Sequence, residues 1–317
     1  MKARIQLSDP DAVGRYPGNR YQYAGLGVAS EIALPEWRTF EDPLTTTEPD
    51  VVIELEEISG FDPATEENAR VVTPDYYRYV VPGVGAFCVR DGLRITVALL
   101  RGVEPRRARP WLIGSTWAAL CYQRGMYLIH ASAVMVGKGA VLFCARAGGG
   151  KSTMAAQLNI RGHALVSDDL CHLDFPSGRA PLIFRSAPRI KLWSDALRQI
   201  GWNSEELEPD HSRAGKFHAV RTDNNLAQSA PVRAIYLLDW GDFGIRRLSG
   251  LIALRQFLHA ATYRPKMMEL TQQLARHTER SLALLQCVPV WELRRPRDLA
   301  SLGHTTDLLT EHWLSYD

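Results

Sequence analysis

The chain has 317 residues, 46% of them hydrophobic and 23% charged, which is the composition of an ordinary folded protein long enough for two domains. Lys plus Arg number 37 against 35 for Asp plus Glu, a net charge of +2. That balance argues against a general nucleic-acid or membrane-surface binder, which needs a strong basic excess. The five cysteines, Cys88, Cys121, Cys144, Cys171 and Cys287, lie far apart in apolar company with no CxxC pair. They read as buried free thiols in a reducing compartment and not as a disulfide framework or a zinc site.

The opening residues MKARIQLSDPDAVGRYPGNR hold no apolar core of a signal peptide, and no run of about 18 apolar residues occurs anywhere. A cytoplasmic protein with no membrane partner is expected. Residues 1–105 carry alternating or β-branched runs broken by Gly, Pro and Asp, such as DVVIELEEI and YYRYVVPGVGAFCVRDGLRITVALL. This is the grammar of strands and turns, and it predicts a β-rich N-terminal domain, either scaffold or peptide-recognition module, without a catalytic pattern. A second, α/β domain is expected over 106–317. WLIGSTWAALCYQRG has helical spacing with a glycine stop at Gly125. MYLIHASAVMV reads as a strand, GKG as a turn, AVLFCA as an apolar strand, STMAAQLNIRG as a helix, and HALVSDD as a strand ending on two acids. Further on, APLIFRS, RIKLW and VRAIYLLDW read as strands, and SDALRQIG and the run from Leu251 to Leu285 as helices. The polar, turn-rich stretch 203–230 reads as a mobile loop. The arginine clusters Arg106, Arg107, Arg109 and Arg294, Arg295, Arg297 read as solvated surface.

Between the second of these strands and its helix stands CARAGGGKST, residues 144–153. It matches the P-loop pattern G-x-x-x-x-G-K-[ST] except that Ala145 replaces the first glycine. Gly148, Gly149 and Gly150 give the freedom to aim several backbone N–H groups at phosphate oxygens, and the helix points its positive end at the same place. Lys151 is expected to reach the β- and γ-phosphates and Ser152 to place its hydroxyl on Mg²⁺, with Thr153 completing the nucleotide-binding run. Ala145 fits if its φ stays negative. Asp168 and Asp169 offer one carboxylate for the metal and a second to take a proton from an attacking hydroxyl. His130, in LIHASAV, has apolar neighbours; such an imidazole is more often a satisfied core residue than a catalytic one. Arg189 and Lys191 share one face of their strand, so both or neither enter the cleft. Lys216, in RAGKFH, stands where a loop could close over a nucleotide. Arg264, between Tyr263 and Pro265, fits phosphate binding and a plain helix start equally well.

The order of HASAVMVGKGAVLFCARAGGGKSTMAAQLNIRGHALVSDD resembles the catalytic core of the HPr kinase/phosphorylase family, itself related to phosphoenolpyruvate carboxykinase. The resemblance is strong over 126–175 and weaker to about residue 300, and it includes the Arg161–Gly162–His163 step after the helix. It implies a P-loop kinase core using ATP and Mg²⁺, with Gly150, Lys151 and Ser152 as phosphate and metal ligands. It further implies Asp168 as a metal acid, Asp169 as general base and His130 as an active-site histidine, and it is compatible with oligomers. The family's second glycine-rich signature has no clear counterpart here, and the N-terminal half differs, which argues against HPr itself as acceptor. The layout is more similar to stand-alone HPr-kinase-like proteins, including those of lasso peptide clusters, on the segments TYRP (262–265) and LRRPRDL (293–299). That implies phosphorylation of a serine hydroxyl at a precursor peptide's C-terminus. A small-molecule hydroxyl kinase and a nucleotide-binding regulatory module without transfer are the competing readings. Asp169 counts against the module, which needs no second carboxylate, and the N-terminal β domain mildly favours a polypeptide acceptor.

Overall fold

A computed structural model describes the chain over residues 18–58, 70–210, 213–220 and 227–315. The protein is mixed α/β, and it divides into two compact units, Met1–Arg124 and Gly125–Asp317.

The first unit is built on one seven-stranded sheet. Its strands are β1 (Asn19–Tyr23), β2 (Leu26–Ser30), β3 (Val51–Ile58), β4 (Arg70–Val72), β5 (Tyr76–Val81), β6 (Gly85–Arg90) and β7 (Arg94–Leu100), in the order β1-β2-β3-β7-β6-β5-β4. The helical run read from the sequence as the start of the second domain belongs here. It consists of α1 (Arg109–Trp111), a π-helical turn over Leu112–Thr116, and α2 (Trp117–Gln123), and Gly125, at φ 66°, follows it. The physical reason is an aromatic cluster that holds the helix on this sheet. Trp117 meets Trp37 edge-on at 5.0 Å and Tyr23 at 5.5 Å, and Tyr23 stacks on Trp37 at 4.1 Å. Each such pair stabilises by about 0.5–1.5 kcal/mol beyond its area burial. Gln123 adds a tether by accepting the Gly92 N–H at 2.7 Å.

The second unit has a larger sheet and a small flanking one. The large sheet uses β8 (Tyr127–Val136), β9 (Gly139–Cys144), β10 (Leu165–Asp174), β11 (Leu182–Phe184), β15 (Ser229–Trp240), β16 (Gly244–Leu248) and β17 (Val290–Arg295) in the order β11-β10-β8-β9-β15-β17-β16. The first residues of β15 also pair with β11. The flanking sheet is β12 (Arg189–Trp193), β14 (Lys216–Val220) and β13 (Glu208–Pro209). Side chains alternate between two cores, as the period of two requires. Ile129, Ala131, Ala133, Leu142, Cys144, Ile235 and Leu237 face one way, towards α5 (Gly250–Ala261) and α7 (Leu274–Cys287). Val134, Val141, Phe143, Ala234 and Tyr236 face the other way. There they meet Met154, Ala155 and Leu158 of α3 (Lys151–Ile160), Ala196 and Leu197 of α4 (Ser194–Gln199), and Leu302, Leu309 and Trp313 of α8 (Leu302–Leu314). Helices thus cover both faces of the sheet.

Four expectations need correction. The helix over 251–285 is three helices, because α6 (Pro265–Leu270) is set off by residues in the left-handed region, Arg264 at φ 45° and Gln272 at φ 58°. Neither break has the glycine that would have signalled it. The strand thought to end at the Asp pair continues to Asp174. Part of the stretch read as a loop forms β13 and β14, with Lys216 opening a strand paired to β12; residues 211–212 and 221–226 lie outside the described residues. Of the cysteines, Cys121, Cys144 and Cys171 are buried, but Cys88 is half-buried and Cys287 is exposed. Among the described residues, no helix is long and apolar enough to cross a membrane.

Candidate active site

β9, buried at every residue, runs directly into the glycine loop, and α3 begins at Lys151. Gly148 and Gly150 adopt φ 79° and 76°, which glycine enters without the cost other residues bear. Gly150 is the N-cap of α3 and brings no capping side chain, so the helix's first N–H groups and the positive end of its dipole are not met by one. Ala145 lies outside the left-handed region, as its side chain requires. Its methyl sits where a Cβ on Gly149 would fall, so the glycine is needed for space there and not for φ.

Lys151 is buried, and its Nζ donates to the Ala145 carbonyl at 2.9 Å and to the Arg146 carbonyl at 3.5 Å. The ammonium therefore folds back over the loop. Burial lowers its pKa from the ordinary value, while Asp168 and Asp169 act in the opposite direction.

The acids come from β10, which is not the immediate neighbour of β9. β8 lies between them, antiparallel to both, and its register sets Ser132 opposite Asp168 and Phe143. The intervening strand contributes to the site. Asp168 Oδ1 accepts from Ser132 Oγ at 2.5 Å and from Ser152 Oγ, in the first turn of α3, at 2.8 Å. Its Oδ2 accepts the backbone N–H of Lys191 at 3.2 Å.

Neighbouring residues of a regular strand point to opposite faces, which would keep Asp169 out of this cleft. Asp169 escapes the rule because its φ is 74°. Asp is among the few residues that enter the left-handed region with modest strain. Its carboxylate meets Lys191 Nζ at 3.3 Å through Oδ2 and His130 Nε2 at 3.4 Å through Oδ1. Burial pushes this carboxyl up, but Lys191 and His130 together outweigh it and hold the pKa well below the usual carboxylate range. His130 is therefore a member of the site, sharing its face of β8 with Ser132. Tyr263 meets the His130 ring edge-on at 5.8 Å, and the Arg264 guanidinium lies 5.6 Å from the Tyr263 ring.

Lys191 enters the cleft from β12. Arg189 stands close enough to His218 to help lower that imidazole's pKa, after the larger effect of burial. Lys216 lies over the Trp193 ring at 5.6 Å. Its pKa is lowered by burial and by Arg213 and Lys191, while Asp169 and Asp168 oppose this.

No protein-family model and no curated protein matches the sequence. Among solved structures, the HPr(Ser) kinase/phosphatase from Coxiella burnetii is similar at 17% identity and a TM-score of 0.32, over 59% of this chain and 97% of that one. The functional reading therefore rests on the geometry of the cleft.

Two groups of residues change standing in the structure. Arg161, Gly162 and His163 lie at the far end of α3. Arg161 pairs with Asp307 and donates to the Gly303 carbonyl, and His163 Nδ1 bonds the Met135 carbonyl at 3.0 Å while its ring meets Trp313 at 5.3 Å. This step fastens α3 to α8 and β8. Arg295, read as a surface charge, is instead buried against the glycine loop: its Nη2 donates to the Gly149 carbonyl at 2.9 Å, and its guanidinium lies 4.1 Å from the Trp240 ring. Arg294 beside it is exposed, as expected, and Arg106 forms an exposed pair with Glu104. Ser132, Trp240 and Arg295 are the site residues that sequence reasoning missed. Only Ser132 left a trace, two positions after His130 on the same strand face.

Proposed function

We propose that the second unit is a P-loop phosphotransferase that moves the γ-phosphoryl group of ATP to a serine hydroxyl of a peptide or protein. One observation carries this reading: the Ser152 hydroxyl and the Asp168 carboxylate meet at 2.8 Å at the mouth of the glycine loop, with a second carboxylate, Asp169, held beside them. A hydroxyl and an acid in contact at the start of a P-loop helix are the pair a Mg²⁺ ion would enter between. Among the described residues, no cluster of three His, Cys, Asp or Glu could hold a metal. That suits a hard cation completed by nucleotide oxygens and water.

The residues fit the nucleotide as well. Glycines 149 and 150 cannot carry a Cβ without overlapping Ala145 or Arg295, so the loop keeps a bare backbone for phosphates to approach. Lys151 would exchange its two carbonyl partners for phosphate oxygens. Bound Mg²⁺ supplies charge neutralisation on the transferring group. Asp169 orients the acceptor hydroxyl and takes its proton. A carboxylate with a lowered pKa is a weak base, which phosphoryl transfer through a loose transition state tolerates, because positioning and charge do most of the work. His130 fixes one Asp169 oxygen, and Lys191 balances the charge at the other.

A polypeptide acceptor is favoured by the separate β-sheet unit, since a sheet edge is one place where an extended peptide binds. The C-terminal serine of a lasso precursor peptide is the specific candidate. The test is transfer of γ-labelled phosphate from Mg-ATP to peptides ending in serine, to internal-serine peptides and to free serine. Labelled peptide is expected, and transfer to free serine alone would redirect the reading to a small-molecule kinase. ATP binding with no transfer to any hydroxyl would leave a regulatory nucleotide module.

A further inference from the structure

Three parallel strands, β9, β15 and β17, lie side by side, and the crevice beyond the carboxyl ends of such strands is where α/β sheets bind ligands. β9 ends in the glycine loop. β15 and β17 end on Trp240 and Arg295, which are partners in the register. Arg295 is 6% exposed, and its guanidinium lies against the Trp240 ring and donates to the Gly149 carbonyl at 2.9 Å. It has no ion-pair partner among the described residues, and its Nε is buried without a hydrogen-bond acceptor. Burial lowers its pKa to about 10, so it stays charged at neutral pH. A buried cation facing no carboxylate, with a donor unused, is costly, and such a group calls for an explanation.

The planar peptide supplies one. In a trans peptide the C=O and the next residue's N–H point in opposite directions. Arg295 holds the Gly149 oxygen, so the Gly150 N–H in the same peptide is turned away from the guanidinium. Gly150 permits this arrangement because it has no Cβ; one built there would overlap the Arg295 side chain. Lys151 grips the opposite end of the loop at Ala145 and Arg146. The loop is therefore clamped at both ends by cations, one inside it and one behind it.

We propose that Arg295 is a positioning residue for the nucleotide phosphates: it sets the Gly149–Gly150 peptide so that the Gly150 N–H serves the anion, and it adds a fixed positive charge behind the loop. Trp240 keeps the guanidinium flat and in place. The inference rests on the phosphotransferase reading, and the experiment separates the two.

Calorimetry on the full chain would compare Mg-ATP, Mg-ADP, inorganic tripolyphosphate and adenosine for the native protein, Arg295→Met, Arg295→Lys and Lys151→Ala. Arg295→Met is expected to weaken all three phosphate ligands by about ten- to a hundredfold, the usual size for a lost hydrogen bond to a charged group, with adenosine unaffected. In steady state the KM for ATP should rise and that for the acceptor should not. Arg295→Lys, which keeps the charge but not the flat fork, should lie between the two. Native-like tripolyphosphate binding by Arg295→Met overturns the proposal. So does loss confined to ATP, ADP and adenosine, which would make Arg295 and Trp240 a base-stacking site. Should Arg295→Met fail to fold, native-like phosphate binding by Arg295→Lys overturns it equally. If Lys151→Ala also binds tripolyphosphate normally, the phosphotransferase reading falls, and this inference with it.

Discussion

The two ends of α3 carry neighbouring parts of one sequence pattern and do different work. At the N-terminal end stand a glycine cap, a buried lysine that holds two loop carbonyls and a serine bonded to Asp168. At the C-terminal end Arg161 and His163 are occupied with α8 and β8. One stretch of sequence thus joins residues proposed to act on a nucleotide to residues that fasten the helix to its neighbours. Membership in the motif does not say which is which; the partners do.

Substitutions at the two ends should separate along that line. The largest effect is expected from Asp169→Asn, which keeps the left-handed backbone but removes the proton acceptor. Single-turnover transfer should slow on the order of 10²–10⁴-fold while Mg-nucleotide affinity by calorimetry is retained. Equal loss of binding and transfer would make the acids a plain metal pair. Lys151→Ala should lower transfer by roughly 10²–10³-fold with the apo fold intact by circular dichroism, as for loss of one charge-stabilising group. An unchanged rate would remove the phosphate-loop reading.

Asp168→Asn comes next. Replacing a charged oxygen by an amide should weaken nucleotide binding in the presence of Mg²⁺ far more than in its absence, and titration of Mg²⁺ at fixed ADP would show it. Lys191→Met sharpens the comparison through pH. With Lys191 present the Asp169 carboxyl titrates below its ordinary value of 3.8, so its contribution to stability is present above that value and lost as pH falls through the folded pKa. Without Lys191 the upward push of burial is less opposed. The acid limb of the transfer-rate profile should therefore move to higher pH, and an unmoved limb would mean another group governs it.

The smallest effect belongs to the far end. His163→Ala loses one ring contact and one hydrogen bond, about 1 kcal/mol, and should lower the melting temperature by roughly 2–4 °C for a unit of this size. Transfer at 25 °C should be unchanged. A large catalytic defect would show that the two ends are more tightly coupled than their contacts suggest.

The glycine loop, Lys151 and Ser152 were legible because their signals are local. A strand, a turn and a helix start lie within a dozen residues, and sequence spacing translates directly into geometry. The order of strands in the sheet was not legible in this way. β8 lies between β9 and β10 although nothing in any one strand encodes its neighbour, and that insertion is what brings Ser132 onto Asp168. Arg295 stands 146 residues from the carbonyl it holds, and a short arginine cluster at a strand end has the same composition whether or not one member turns inward. His130 fell between: its apolar neighbours suggested a core residue, the resemblance implied a role, and the structure sets it against Asp169. The division of 251–285 into three helices was half legible: Pro265 offered a helix start, which α6 takes, but Gln272 breaks the run in a conformation that glycine usually advertises.

The left-handed backbone at Asp169 has a consequence for how this position can vary at all. A substitution there changes two things together, a functional group and a torsional preference. Alanine removes the carboxylate and adds strain of the order of 1 kcal/mol or more, and glutamate keeps the charge but brings a side chain that disfavours this φ. Glycine relaxes the chain but has no side chain, and asparagine alone leaves the backbone nearly indifferent. A saturation library at Asp169 would therefore sort its members along two axes, chain geometry and proton affinity. Aspartate occupies the corner where both are served.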